Sequence, residues 1–168
     1  AVLSAVPAAD AVRAGAALQR RRAANFHALE LPVPCANLPV VSIRNGTIYK
    51  DGQELGSWAS SWKASCDGTV AWLDSRGDLH RDREELGRAS RYDISLVTGD
   101  ILWTDSYGDL HRNRQELGRA QRWLMASHTG DVAWLDSYGR LYKNEKELGR
   151  SNQFFIANWT GTVAWTDS

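Results

Sequence analysis

The chain has 168 residues with 20 Lys+Arg against 20 Asp+Glu, so its formal net charge is zero, and 43% of it is hydrophobic. That balance argues against coating nucleic acid or a polybasic membrane contact, both of which need excess Lys and Arg. No apolar run reaches the ~18–20 residues needed to cross a bilayer.

Residues 1–30 hold 11 Ala. From Asp10 to about Glu30 the spacing of Ala11, Ala14, Ala17 and Leu18 predicts a helix capped by Asp10. The alternative is a flexible arm. Ala9-Asp10-Ala11 matches the A-x-A pattern of a secretory cleavage site, and the chain has no initiator Met. Residues 1–11 are therefore readable as a signal remnant on a processed or truncated form. Arg20, Arg21 and Arg22 read as a solvated basic face. Pro32 and Pro34 mark 31–35 as an extended linker.

The remainder is a repeat with a step of 31 residues. Glu-Leu-Gly recurs at 54–56, 85–87, 116–118 and 147–149. Trp72, Trp103, Trp134 and Trp165 keep the step, as do the Asp-Ser pairs beginning at Asp74, Asp105, Asp136 and Asp167. The expected organisation is an arm, 1–38, and a repeat domain, 39–168, cut as 39–69, 70–100, 101–131, 132–162 and a partial 163–168.

Each unit predicts strands. Arg122–His128 is strand a, and Thr129-Gly130 a hairpin turn. Asp131–Asp136 is strand b, Arg140–Lys143 strand c, and Glu147-Leu148 a short strand d. Strand b, as in Val132-Ala-Trp-Leu, is apolar on both faces, which predicts cover on both sides and a core position for its Trp. Strand a carries a small residue at one level: Ala64, Ser95, Ala126 and Ala157. Burial is expected to fall from a and b towards d.

The stretch from Val132 through Asp136, Gly139, Leu141-Tyr142-Lys143 to Gly149 resembles the short blades of bacterial β-propellers of the TolB-like and tectonin-like kind. The resemblance covers about 39–168 and implies an all-β propeller of about four blades, with small side chains near the axis. Its 31-residue step is shorter than the ~40–50 of most propeller repeats, so a three-sided β-solenoid is the alternative. Val163–Ser168 supplies a strand b, and Thr47–Gly56 the c and d that would follow it. Pairing of the two ends is expected to close a ring and remove exposed edges. Val40–Ile43 is then either displaced or itself in the b position.

Cys35 lies just before the first unit, and Cys66 stands where later units have Val97, His128 and Trp159. A Cys35–Cys66 disulfide pinning the arm to the first blade is expected, against two separate buried thiols. It would imply an oxidising compartment, secreted, periplasmic or at the cell surface.

No nucleophile elbow, phosphate loop or zincin motif occurs, so no catalytic residue, cofactor or metal is expected. His80 and His111 share a column with Tyr49 and Tyr142, which points to half-buried aromatic packing. The column Asp74, Asp105, Asp136 lacks the alternating oxygen ligands of a calcium loop and suits turn capping. The b–c turns present Asn45, Arg76, Tyr107 and Tyr138, with Asp105, Asp136 and Arg122 beside them. Tyrosine rings next to carboxylate, guanidinium and amide groups suit a carbohydrate; the plainer reading makes the tyrosines turn residues alone. The functional expectation is a non-enzymatic secreted module, a multivalent lectin, with a protein–protein or surface-attachment scaffold as the alternative. The expected partner is a glycan or another protein, with an oligomer compatible with either.

Overall fold

A computed structural model describes Cys35 and residues 38–167. The helix expected in the arm, the signal remnant and the rest of the linker lie outside the described residues.

The described chain is all-β. Three strands, β1 (Val41–Arg44), β2 (Thr47–Lys50) and β3 (Gln53–Ser57), form the first sheet. The second holds β4 (Ala59–Ala64), β5 (Val70–Asp74), β6 (Asp78–Arg81) and β7 (Glu84–Arg88). The third holds β8 (Arg91–Ile94), β9 (Ile101–Thr104), β10 (Asp109–Arg112) and β11 (Gln115–Arg119). The fourth holds β12 (Arg122–Met125), β13 (Val132–Leu135), β14 (Arg140–Lys143), β15 (Lys146–Ile156) and β16 (Val163–Asp167). Every pairing is antiparallel: the second and third sheets are meanders in the order a, b, c, d, the first holds b, c and d, and in the fourth β15 serves as d and runs on as the next a, with β16 as the next b. A three-sided solenoid would instead string equivalent strands of successive repeats into shared sheets. Here β5, β9 and β13 lie in three different sheets, which removes that alternative.

The c–d turn shows why the repeat folds this way. Asp82, Asn113 and Asn144 take positive φ (51°, 53° and 53°), the left-handed region that Asp and Asn tolerate best. The N–H of Asn113 donates to the Ile101 carbonyl, and its Oδ1 accepts from the Ile101 N–H (2.7 and 3.0 Å). Its own carbonyl accepts from the Trp103 indole at 2.8 Å. Asn144 does the same for Val132 and Trp134. One residue thus ties strand b to the far end of strand c and satisfies the buried indole N–H.

Strand b is the core strand. Ile101, Leu102, Val132 and Ala133 are fully buried, while Trp72, Trp103 and Trp134 are only 3%, 4% and 5% exposed. Strand a is less buried than expected: β4 has no buried residue, and β8 and β12 have one each, Ile94 and Trp123. The small-residue level on strand a holds at Ser95 and Ala126, which are fully buried. Each Trp lies across its own strand c, stacked on His80, His111 or Tyr142 with ring centroids 4.1–4.2 Å apart. The His/Tyr column is therefore aromatic packing, as its composition predicts.

Neighbouring sheets stack face to face through the same elements. Leu79 and Ala71 of the second sheet pack with Ile94, Ile101 and Trp103 of the third. Leu102 and Leu110 pack in turn with Trp123, Val132 and Trp134 of the fourth. Trp103 sits over Gly87 of the preceding d strand, where a Cβ would stand 3.0 Å from Cη2; Trp134 sits over Gly118 in the same way at 3.2 Å. A second seam joins the a–b turns. The N–H groups of Cys66, Val97 and His128 donate to the carbonyls of Leu96, Ser127 and Asn158, one backbone bond per repeat step.

The expected pairing of the two ends is not formed within this chain. Asn45 and Gly46, both at positive φ, make a two-residue hairpin turn that folds β1 back onto β2, so β1 holds the b position. β2 then pairs with β1 and β3, and β16 pairs only with β15 among the described residues. Trp165 also departs from its column. It is 40% exposed rather than buried, and among the described residues no strand c lies beside β16 to lay a ring against it.

Candidate binding rim

The b–c turns are built by their aspartates. Asp105 Oδ1 accepts the N–H groups of Tyr107 and Asp109 at 2.8 and 2.9 Å. Asp136 Oδ1 accepts those of Tyr138 and Arg140 at 2.8 and 2.9 Å, and Asp74 repeats the pattern with Arg76 and Asp78. The turn-capping role expected from the sequence is thus the role these carboxylates take.

The electrostatics follow from that geometry. Burial pushes the Asp105 carboxyl up, but the backbone N–H groups of Asp109 and Tyr107, with His111 beside them, hold it below the usual carboxylate range. Burial likewise opposes, and the Arg140 backbone and guanidinium outweigh it, at Asp136. The second oxygens are also engaged. Asp136 Oδ2 lies 2.6 Å from Arg140 Nε, and Asp105 Oδ2 lies 3.7 Å from His111 Nε2.

Each turn throws its third residue outward. Tyr107 and Tyr138 are 75% and 73% exposed, one repeat apart, with Arg76 at the equivalent place on the second sheet. The Arg140 guanidinium lies 5.4 Å from the Tyr138 ring centroid, so that ring has a cation on one flank.

The other rim residues are placed differently. Asn45 stands in the tight β1–β2 turn at φ 50°, not at the tip of an Asp-capped turn. Arg122 lies with its guanidinium 5.0 Å over Phe154 of the next repeat, and Arg91 lies 3.9 Å over Trp123. These arginines cover aromatic rings between successive repeats.

The other end of strand c holds a feature that the motifs do not single out. A cavity of about 380 Å³ lies among Lys50, Asp51, Gln53, Leu55, Asp82 and Arg83. Lys50 Nζ and Asp82 Oδ1 pair across it at 2.9 Å, and Arg83 Nε donates to the Glu54 carbonyl at 3.0 Å. Asp51 and Asp82 stand one repeat step apart, and Lys50 and Leu55 keep the columns of Arg81 and Leu86. Among the described residues no three His, Cys, Asp or Glu side chains converge as a metal set.

Cys35 and Cys66 form a disulfide, as the sequence leads one to expect. No helix among the described residues is long and apolar enough to cross a membrane. Comparison with protein-family models, with curated proteins and with solved structures returned no match.

Proposed function

We infer that the repeat domain is a non-catalytic binding module whose b–c turns contact a glycan at several equivalent points. The observation that carries this reading is the pair Tyr107 and Tyr138. Both rings are about three-quarters exposed on rigid Asp-capped turns one repeat apart, and burying so much ring surface favours contact with an apolar sugar face. The aspartates hold the turns and leave the hydroxyl-binding role to Ser106, Ser137, Arg76 and Arg140. Equivalent weak contacts at a fixed step add through avidity. The disulfide supports an oxidising, extracellular setting. The likeness to short-bladed propellers belongs to the same reading, in which successive blades would carry their b–c turns on one rim.

A glycan array with wild type, Tyr107→Ala, Tyr138→Ala and the double variant tests it. Capture should weaken with each single change and vanish with both. Absence of any glycan ligand, or capture that survives the double change, would leave a protein-binding scaffold as the better reading.

A further inference from the structure

The two tyrosine turns share a ring and differ in the charge around it. Asp78, Asp109 and Arg140 stand one repeat step apart, each closing a b–c turn. Across the c–d ladder each lies directly opposite an arginine: Asp78 opposite Arg88, Asp109 opposite Arg119, and Arg140 opposite Arg150. Side chains paired in this way share one face, with Cβ atoms about 4.5–5.5 Å apart. The second and third sheets therefore set a carboxylate against a guanidinium. The fourth sets two guanidinium groups against each other.

Like charges directly opposite each other destabilise an antiparallel pair, so the fourth sheet carries a cationic pair that its own fold does not reward. Arg140 Nε meets Asp136 Oδ2 at 2.6 Å, and its other two nitrogens make no hydrogen bond among the described residues. Arg150 is exposed and makes no ion pair among the described residues. In formal charge, Asp105 and Asp109 against Arg119 leave the Tyr107 turn negative, while Asp136 against Arg140 and Arg150 leaves the Tyr138 turn positive. The zero net charge of the chain hides this reversal between neighbouring repeats. The Arg140 guanidinium, 5.4 Å from the Tyr138 ring centroid, brings that charge to the ring itself, and Tyr107 has no such neighbour among the described residues.

We propose that the Tyr138 turn is a subsite for an acidic sugar, in which Arg140 and Arg150 hold the carboxylate of a uronic acid whose ring rests on Tyr138. The Tyr107 turn, with Asp109 in place of Arg140, takes a neutral sugar instead. The free nitrogens of Arg140 suit a carboxylate, which accepts parallel N–H groups from a guanidinium fork. The ligand is an acidic sugar rather than a bare anion because the cations flank a ring that is 73% exposed, and a bare anion would leave that ring uncovered. This rests on the reading of the b–c turns as glycan contacts and adds which sugar each turn prefers.

The test is an NMR titration of the Tyr107 and Tyr138 ring signals in the folded chain, with methyl glucuronide, methyl glucoside and acetate as probes. At Tyr138 the glucuronide is expected to bind about three- to tenfold more tightly than the glucoside, as one or two exposed ion pairs supply. At Tyr107 the glucoside is expected to bind at least as tightly as the glucuronide, and acetate should move neither ring. Arg150→Gln, an exposed change that leaves Arg140 on Asp136, should remove most of the preference at Tyr138. Asp109→Arg should create one at Tyr107. Equal binding of the two sugars at Tyr138, a preference that survives Arg150→Gln, or an acetate response matching that of glucuronide would overturn the acidic subsite and leave the glycan reading in place. Silence of both rings towards both sugars would overturn the two together.

Discussion

Cys35 and Cys66 are bridged with their Cα atoms 4.7 Å apart, and they stand in the same position of successive repeats, 31 residues apart. The column continues through Val97, His128 and Trp159. At its far end His128 and Trp159 are also in contact, as stacked rings 3.4 Å apart between centroids. The bridge is the covalent version of a contact that the repeat makes anyway.

Its energetic role is testable. Closing a loop of this length is expected to stabilise the fold by about 3–4 kcal/mol. Urea unfolding with and without reductant should show a matching fall in midpoint, and Cys66→Ser should reproduce the reduced value. An unchanged midpoint would mean that the a–b turn seam holds the first repeat without the bond.

Acid should unfold the protein through its turn aspartates. Burial pushes Asp74, Asp105, Asp136, Asp100 and Asp131 up, and the hydrogen bonds and cations around each outweigh it, so all five lie below their ordinary value. A carboxyl depressed on folding contributes stability that is complete above its unfolded pKa, near 3.9, and is lost as pH falls through the folded value. The melting temperature is expected to stay level on that account between pH 5 and 7, as an order-of-magnitude window of about two units, and to drop below about pH 4. Asp105→Asn with Asp136→Asn keeps an acceptor at each turn and should flatten part of that acid drop.

The glycine seats can be separated by substitution. Gly87 and Gly149 share a positive φ (138° and 146°), so alanine strains both. Only Gly87 has an indole over it; no described atom comes within 4 Å of a Cβ at Gly149. Gly87→Ala should therefore cost about 1–3 kcal/mol more than Gly149→Ala, from overpacking against Trp103. Equal losses in thermal unfolding would mean that the backbone, not the ring, decides.

The tryptophan column should divide in the same way. Trp103→Phe removes a buried indole N–H and leaves the Asn113 carbonyl without its donor, and is expected to cost about 1–3 kcal/mol. Trp165→Phe changes a partly exposed ring at an edge and should fall within about 0.5 kcal/mol in the isolated chain. Chemical denaturation of both variants at low concentration measures the difference.

Much of this fold is legible in the sequence because periodicity reports burial. A Trp every 31 residues inside Val-Ala-Trp-Leu marks strand b, and a His that alternates with Tyr marks a ring packed for its face rather than its nitrogen. The Asp-x-x-Gly turns announce their own capping. Other features follow from local chemistry that a consensus averages away. The Asn-Gly at Asn45-Gly46 signals a two-residue hairpin, and its shorter turn shifts β1 by one residue and sets Asn45 apart from Tyr107 and Tyr138. Cutting the units at residue 39 hides that Cys35 already stands in register with Cys66. The uncovered Trp165 is invisible to the pattern, because burial depends on a neighbouring strand and not on the residue itself.

The glycine under each indole has one more consequence. The seat that Gly56 offers Trp72 is the seat that Gly87 offers Trp103 and Gly118 offers Trp134. Any one of these segments can be excised, or copied, and the flanking surfaces meet as mates. Removing 70–100 would bring Trp103 onto Gly56 with no new interface to invent. The length of such an array is thus free to change by whole units, while a smaller change between a glycine and the indole 16 residues after it takes that pair out of register.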